Sequence, residues 1–204
     1  MIENTPRQHE GRLYDAVIFD MDGTLVESAI DFDGIRRDLN IPAETGILEA
    51  IARMPADRRT HANALLLERE LLGVRNASLV SGAHDVLTRV HAAGLKTALL
   101  TRNAREAMLA AFEQFDVLRF DVAWSRNDGP IKPEPDGVLR ACEEMGVTPQ
   151  RTLCVGDFRY EIIAANEAGS VSVLLRRPDR PDFTDLACHV IDDLHELLDL
   201  LELS

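Results

Sequence analysis

With 204 residues, 46% of them hydrophobic and 28% charged, the chain has enough apolar material for one large domain, or one domain carrying a small insertion. Its 22 Lys and Arg stand against 35 Asp and Glu, a net charge of −13. That field argues against nucleic acid or an anionic membrane as a partner, and an anionic substrate would need local positive charge. The three cysteines, Cys142, Cys154 and Cys188, are too few and too scattered for a disulfide framework or a zinc pattern, and read as small buried hydrophobes. The N-terminal stretch "MIENTPRQHEGRLYD" lacks a hydrophobic signal core, and no apolar run approaches the ~20 residues of a membrane helix. A cytoplasmic enzyme or binding protein, monomer or homodimer, is the expectation.

In chain order, the first strand is expected over 14–20 ("YDAVIFD"). Residues 27–80 follow with helical patterns only: Phe32, Ile35 and Leu39, then Ile47, Leu48 and Ile51, then Leu65, Leu66, Leu71 and Leu72, punctuated by Pro42 and Pro55. About fifty helical residues are too many for one crossover, so they are expected to form a small helical cap over the sheet's C-terminal edge, where open α/β sheets bind ligands. Strand and helix patterns then alternate: helix 83–93, strand 95–101, helix 104–115, strand 121–124, helix 136–146, strand 152–157, helix 159–168, strand 170–175, a short strand 189–191 and helix 193–201. Nearly all-apolar strands between helices indicate a Rossmann-like α/β fold, a parallel sheet covered on both faces. The domain division is 12–26 with 81–204 for the core and 27–80 for the cap. Hinges are expected near Val26-Glu27-Ser28 and Val80-Ser81-Gly82.

Chemistry collects at the strand ends. The first strand stops at Asp20 and Asp22, two carboxylates on one side of an extended segment. Asp is a poor strand residue, so a divalent cation or a shared proton is needed to relieve the pair. The second strand ends in Thr101-Arg102-Asn103, "GPIKPEPD" with Lys132 follows the third, and the fourth ends in Gly156-Asp157 with Glu161 four residues on. Acidic side chains with oxygen donors and a neighbouring lysine suit a hard cation, most plausibly Mg²⁺.

"DMDGTL", Thr101, "KPEPD" and "VGDFRYE" stand in the order and spacing of the four motifs of the haloacid dehalogenase superfamily. More narrowly, the chain resembles a phosphatase of the phosphoglycolate phosphatase-like group with a short helical cap, over roughly residues 14–200. The resemblance implies that Asp20 is the nucleophile that forms an aspartyl-phosphate, and that Asp22 protonates the leaving oxygen and then activates water. It implies that Thr101 and the Arg102 backbone N–H bind phosphoryl oxygens, and that Lys132 offsets charge on Asp20 and the transferring group. It further implies that Asp20, Asp157 and the Asp22 carbonyl hold Mg²⁺, with Glu161 beside the metal shell. An acid two residues after the nucleophile favours an oxygen leaving group over halide. The substrate expected is a small phosphorylated metabolite.

One residue departs from the pattern: Glu161 stands where this group usually has Asp, one methylene longer. Other readings compete at single positions. Asn103 reads mainly as a helix cap, Thr101 has the same alternative, and the Arg102 side chain is either a substrate contact or a surface residue. His84 and His91 read as surface or satisfied positions, and Trp124 as core. The charges of "RMPADRRTH" (53–61) form a wet helix face, unless Arg53, Arg58 or Arg59 reaches down to a substrate anion. A phosphosugar mutase of the same superfamily, or a catalytically weak binding protein on this fold, is the alternative function.

Overall fold

The computed structural model describes residues 11–178 and 180–204; residues 1–10 of the polar N-terminal stretch lie outside the described residues. The chain opens with strand β1 (Ala16–Phe19), short strand β2 (Val26–Glu27), helices α1 (Phe32–Leu39), α2 (Ile47–Ala52) and α3 (Ala56–Arg75), and short strand β3 (Ser78–Leu79). Helix α4 (Ala83–Ala92), β4 (Lys96–Leu100), α5 (Arg105–Gln114), β5 (Val122–Trp124) and α6 (Asp136–Met145) come next. Strand β6 (Thr152–Gly156), α7 (Arg159–Ala168), β7 (Val171–Leu175), β8 (His189–Ile191) and α8 (Glu196–Leu200) complete the chain.

Six of these strands make one parallel sheet in the order β5-β4-β1-β6-β7-β8. The reason β1 reads as a continuous apolar run is visible in its packing. Strand alternation sends Val17 and Phe19 to one face and Ala16 and Ile18 to the other, and each face carries its own core. On the first, Val86, Leu87 and Val90 of α4, Met108 of α5 and Leu197 and Leu198 of α8 pack with Leu99, Leu153 and Val173. On the second, Val138, Ala141 and Cys142 of α6 and Ala164 and Ala165 of α7 cover Ala98, Leu100 and Cys154. Each fully buried Leu, Ile or Phe stabilises the fold by about 1.5–3 kcal/mol of transfer free energy. The expected parallel α/β fold, covered on both faces, is the observed one.

Residues 30–66 close a third, separate apolar cluster: Ile30, Ile35, Leu39, Ile41, Ile47, Ile51, Ala62 and Leu66. Helix α1 is opened by Asp31, whose carboxylate accepts from the Gly34 amide at 2.7 Å. Further along α3, Val74 joins the first sheet core, and α3 packs on α5. The two chain crossings are not bare loops. Strands β2 and β3 pair antiparallel there, Val26 opposite Leu79 and Glu27 opposite Ser78, in a ribbon too short for sequence alternation to reveal. The final helix is shorter than expected, five residues from Glu196, because Asp193 and Glu196 spend their bonds on the turn before it. Cys142 and Cys154 are buried as expected, whereas Cys188 is exposed between Leu186 and β8. No helix among the described residues is long and apolar enough to cross a membrane.

Candidate active site

Because β4, β1 and β6 are sheet neighbours, Thr101, Asp20 and Asp157, each one residue past its strand, emerge side by side at the C-terminal edge. Asp20 is fastened there by its amide, which donates to the Val155 carbonyl at 2.9 Å. The turn after Asp20 brings the Asp157 carboxylate against Gly23. A Cβ built on Gly23, whose φ is +81°, would lie 2.2 Å from Asp157 Oδ2, so only glycine allows that approach.

Lys132 arrives from the loop after β5 and is buried. Its Nζ donates to Asp20 Oδ1 at 2.6 Å and to the Leu100 carbonyl at 2.6 Å, and pairs with Glu161 Oε1 at 2.8 Å. The longer side chain at 161 is accommodated by Gly156, where a Cβ would lie 2.3 Å from Glu161 Cγ. Glu161 therefore folds back over the end of β6 to reach the lysine. Asn103 Nδ2 donates to Asp22 Oδ2 at 2.6 Å, while the Asn103 amide donates to Thr101 Oγ1 at 3.1 Å. The expected capping role of Asn103 is thus replaced: its side-chain amide is spent on Asp22, and the Arg105 N–H at the start of α5 donates instead to Asn127 Oδ1 at 3.0 Å.

Arg102 is half-buried. Its guanidinium donates to the Lys132 carbonyl and to Glu49 Oε1, the latter at 2.6 Å, and lies 4.1 Å from the centre of the Tyr160 ring. Glu49 belongs to α2, so this ion pair joins the helical segment to the sheet edge. Arg53, Arg58 and Arg59 are exposed and none lines the cleft above the strand ends; the basic groups that do are Arg36, Arg102 and Arg180. The inward ridge of α3 begins at Ala62 and runs on through Leu66 and Glu70, and Arg58 and Arg59, in the first turn ahead of it, lie in solvent. Trp124 is half-buried against the second core with Arg140 over its ring at 4.3 Å, and His84 and His91 are exposed.

The cleft has a volume of about 480 Å³ and is floored by Asp20, Asp22, Thr101, Asp157 and Glu161. The four carboxylates of this floor outnumber the two cations paired with them, Lys132 with Asp20 and Glu161, and Arg180 with Asp157. Burial holds the Asp20 carboxyl well above the ordinary range, with Lys132 opposing and Glu161 and Asp157 reinforcing. Burial also raises Asp22, against the Asn103 hydrogen bond. Asp157 is pushed up to about 7 by burial and by Glu161, although Arg180 Nε stands 3.2 Å from its Oδ2. Burial pulls the Lys132 ammonium down, but Asp20 and Glu161 outweigh it and its pKa is raised.

These residues suit a hard divalent cation. Asp22 Oδ1, Asp157 Oδ2 and Glu161 Oε2 are buried with no hydrogen-bond partner, and every donor is a carboxylate or carbonyl oxygen. Among the described residues no three His, Cys, Asp or Glu side chains form a ready metal-binding group. The unpartnered carboxylate oxygens fit an open site better than a closed side-chain cage. Glu161 and Asp22 spend one oxygen each on Lys132 and Asn103 instead.

Residues 14–169 match the family model of haloacid dehalogenase-like hydrolases. The chain belongs to that family. A haloacid dehalogenase-like hydrolase domain-containing protein of Arabidopsis thaliana is 27% identical, over 91% of this chain and 83% of its own length. The phosphoglycolate phosphatase of Pseudomonas putida is 29% identical, over 92% of this chain and 80% of its own. Among solved structures, a hydrolase from Pseudomonas syringae overlays with a TM-score of 0.78 at 20% identity, covering 92% of this chain and 98% of that one. CbbY from Rhodobacter sphaeroides, solved in complex with phosphate, overlays at 0.71 with 24% identity, covering 93% and 100%. The family's hydrolase fold, read from the motifs, is the fold of this chain. Sequence reasoning overlooked Tyr160, although it stands inside "VGDFRYE", and Arg180, Glu70 and Arg126, for which no local motif gave a signal.

Proposed function

We propose that the chain is a Mg²⁺-dependent phosphatase that hydrolyses a small phosphomonoester metabolite through an aspartyl-phosphate on Asp20. The observation that carries this reading is Lys132 Nζ held between Asp20, Glu161 and the Leu100 carbonyl beside unpartnered carboxylate oxygens. One Asp20 oxygen is occupied by the lysine, which leaves the other to attack phosphorus and break the bond to the leaving oxygen. Asp22, its pKa raised by burial, holds a proton for that oxygen, and the resulting carboxylate then accepts a proton from the water that attacks the aspartyl-phosphate. Thr101 Oγ1 and the Arg102 N–H would take two phosphoryl oxygens, while Lys132 offsets charge as the bond to Asp20 forms. Asp20, Asp157 and the Asp22 carbonyl would hold Mg²⁺, which when bound supplies positive charge for the phosphoryl oxygens.

Residues 27–80 serve in this reading as a small helical cap over the core formed by 12–26 and 81–204. A cleft of about 480 Å³ roofed by Phe32, Ile47, Leu48 and Leu66 suits a metabolite of a few carbons, not a protein surface. The relatives named for phosphoglycolate and the fold shared with a phosphate-bound structure support phosphate ester chemistry. The acidic composition and the absence of a long apolar helix among the described residues agree with a cytoplasmic enzyme, monomer or homodimer. The test is hydrolysis of p-nitrophenyl phosphate with Mg²⁺ and after EDTA. Turnover that stops with EDTA and returns with Mg²⁺ is expected; turnover indifferent to chelation, or none under any metal, contradicts the proposal.

A further inference from the structure

Glu70 is a carboxylate without a part in the chemistry above, yet it is 3% exposed and lines the cleft wall. It projects from α3, outside the sheet, and reaches the loop between β4 and α5. Its Oε2 accepts from the Ala104 amide at 3.1 Å, and its Oε1 accepts from Arg126 Nη1. Arg126, two residues past β5, donates the same Nη1 to the Arg102 carbonyl at 3.3 Å, and its backbone amide donates to the Asn103 carbonyl at 3.0 Å. Residues 102, 103 and 104 thus each have a backbone group tied to this pair. The same short loop carries Thr101, the Arg102 amide and the Asn103 side chain that holds Asp22.

We infer that Glu70 and Arg126 are positioning residues that fix the 101–104 loop, and through Asn103 the carboxylate of Asp22. A buried ion pair is a costly device, and apolar side chains of the same size would hold α3 on α5 at least as firmly. What apolar groups cannot supply is a donor for the Arg102 carbonyl and an acceptor for the Ala104 N–H, which would otherwise be left buried without a partner. Burial holds the Glu70 carboxyl up, against Arg126, in keeping with a site retained in spite of desolvation. The arrangement also explains why α5 begins without a side-chain cap of its own: the carboxylate at its start comes from α3. Because Glu70 comes from the helical segment, the loop is set only when that segment is seated on the core.

The inference rests on the phosphatase reading, and a double-mutant cycle tests it. Glu70→Gln, Asn103→Ala and the double variant are compared in kcat/KM for p-nitrophenyl phosphate and in Tm. Glu70→Gln is expected to lower kcat/KM on the order of 10²-fold, the scale of a misplacement near 1 Å, in protein that remains folded. If Glu70 acts through the loop, the double variant loses no more than the worse single one. Losses that multiply, or a Glu70→Gln enzyme of lower Tm with undiminished kcat/KM, would overturn it. If Glu70→Gln does not fold, Arg126→Gln replaces it in the cycle with the same expectation. If the wild type turns over no phosphomonoester, the phosphatase reading fails on its own. The pair is then judged by calorimetric binding of inorganic phosphate, which Glu70→Gln should weaken about tenfold; equal affinity would overturn it.

Discussion

Raising the pH in the absence of metal should destabilise this protein, and the size of the effect follows from Asp157. Its carboxyl sits at about 7 in the fold against an ordinary 3.8. Between those values the folded state holds a proton that the unfolded chain has released, so the Asp157 contribution to stability falls as pH rises through the window and levels off above about 7, and the raised Asp20, Asp22 and Glu70 carboxyls act in the same direction. At about 1.36 kcal/mol for each tenfold change in proton affinity, the share of the fall that belongs to Asp157 amounts to at most about 4 kcal/mol. A cation that binds only the deprotonated folded site reverses the loss, by about 2.7 kcal/mol at a hundredfold excess over Kd. Urea denaturation at pH 5, 6, 7 and 8, with EDTA and with Mg²⁺, measures both effects. The apoprotein should weaken from pH 5 to 7 and Mg²⁺ should stabilise it more at pH 8 than at pH 5. Asp157→Asn should make the pH slope shallower and abolish most of the Mg²⁺ effect. Apoprotein stability that rises or stays level from pH 5 to 8, or equal Mg²⁺ stabilisation at both ends, would refute the buried-carboxylate argument.

Lys132→Met leaves Asp20 and Glu161 buried without their cation and should cost about 3–5 kcal/mol at pH 8, less at pH 5, as read by urea midpoints; an unchanged midpoint would deny the pair its structural weight. Glu161→Asp should keep or raise turnover, whereas Glu161→Ala should lower apparent Mg²⁺ affinity or activity about 10–100-fold, because the side chain orients Lys132 beside the metal shell. Equal metal dependence in wild type and Glu161→Ala would reduce the residue to a structural one. The cleft of about 480 Å³ should give small phosphorylated acids or sugars a higher kcat/KM than phosphopeptides; a panel won by phosphopeptides would contradict the role proposed for residues 27–80.

The sheet was legible because a parallel strand buried on both faces has no polar position to disguise it, as Ala16 to Phe19 show. The acidic floor was legible for the complementary reason. Asp20, Thr101 and Asp157 each break such an apolar run at its C-terminal end, and parallel order places those ends together. What the sequence hid lies in contacts between distant segments. Nothing around Asn103 distinguishes a helix cap from a donor to a carboxylate 81 positions earlier. Glu70 sits at an ordinary helical position, and its meaning comes from Arg126, 56 residues later. The ribbon of β2 and β3 is two residues on each side, shorter than any alternation can register. The wet face expected for Arg53, Arg58 and Arg59 is the observed one: Arg53 closes α2, and Arg58 and Arg59 stand in the first turn of α3, ahead of its buried residues.

The central claim is that Asp20 attacks phosphorus, and the most direct measurement compares wild type with Asp20→Asn. The substitution keeps the side chain's shape and its place beside Lys132 but removes the nucleophilic charge. Both proteins are assayed for Mg²⁺-dependent hydrolysis of p-nitrophenyl phosphate, with circular dichroism and Tm to establish folding. The account predicts a folded Asp20→Asn protein without turnover beside an active wild type. A well-folded Asp20→Asn protein that retains substantial Mg²⁺-dependent turnover would contradict it.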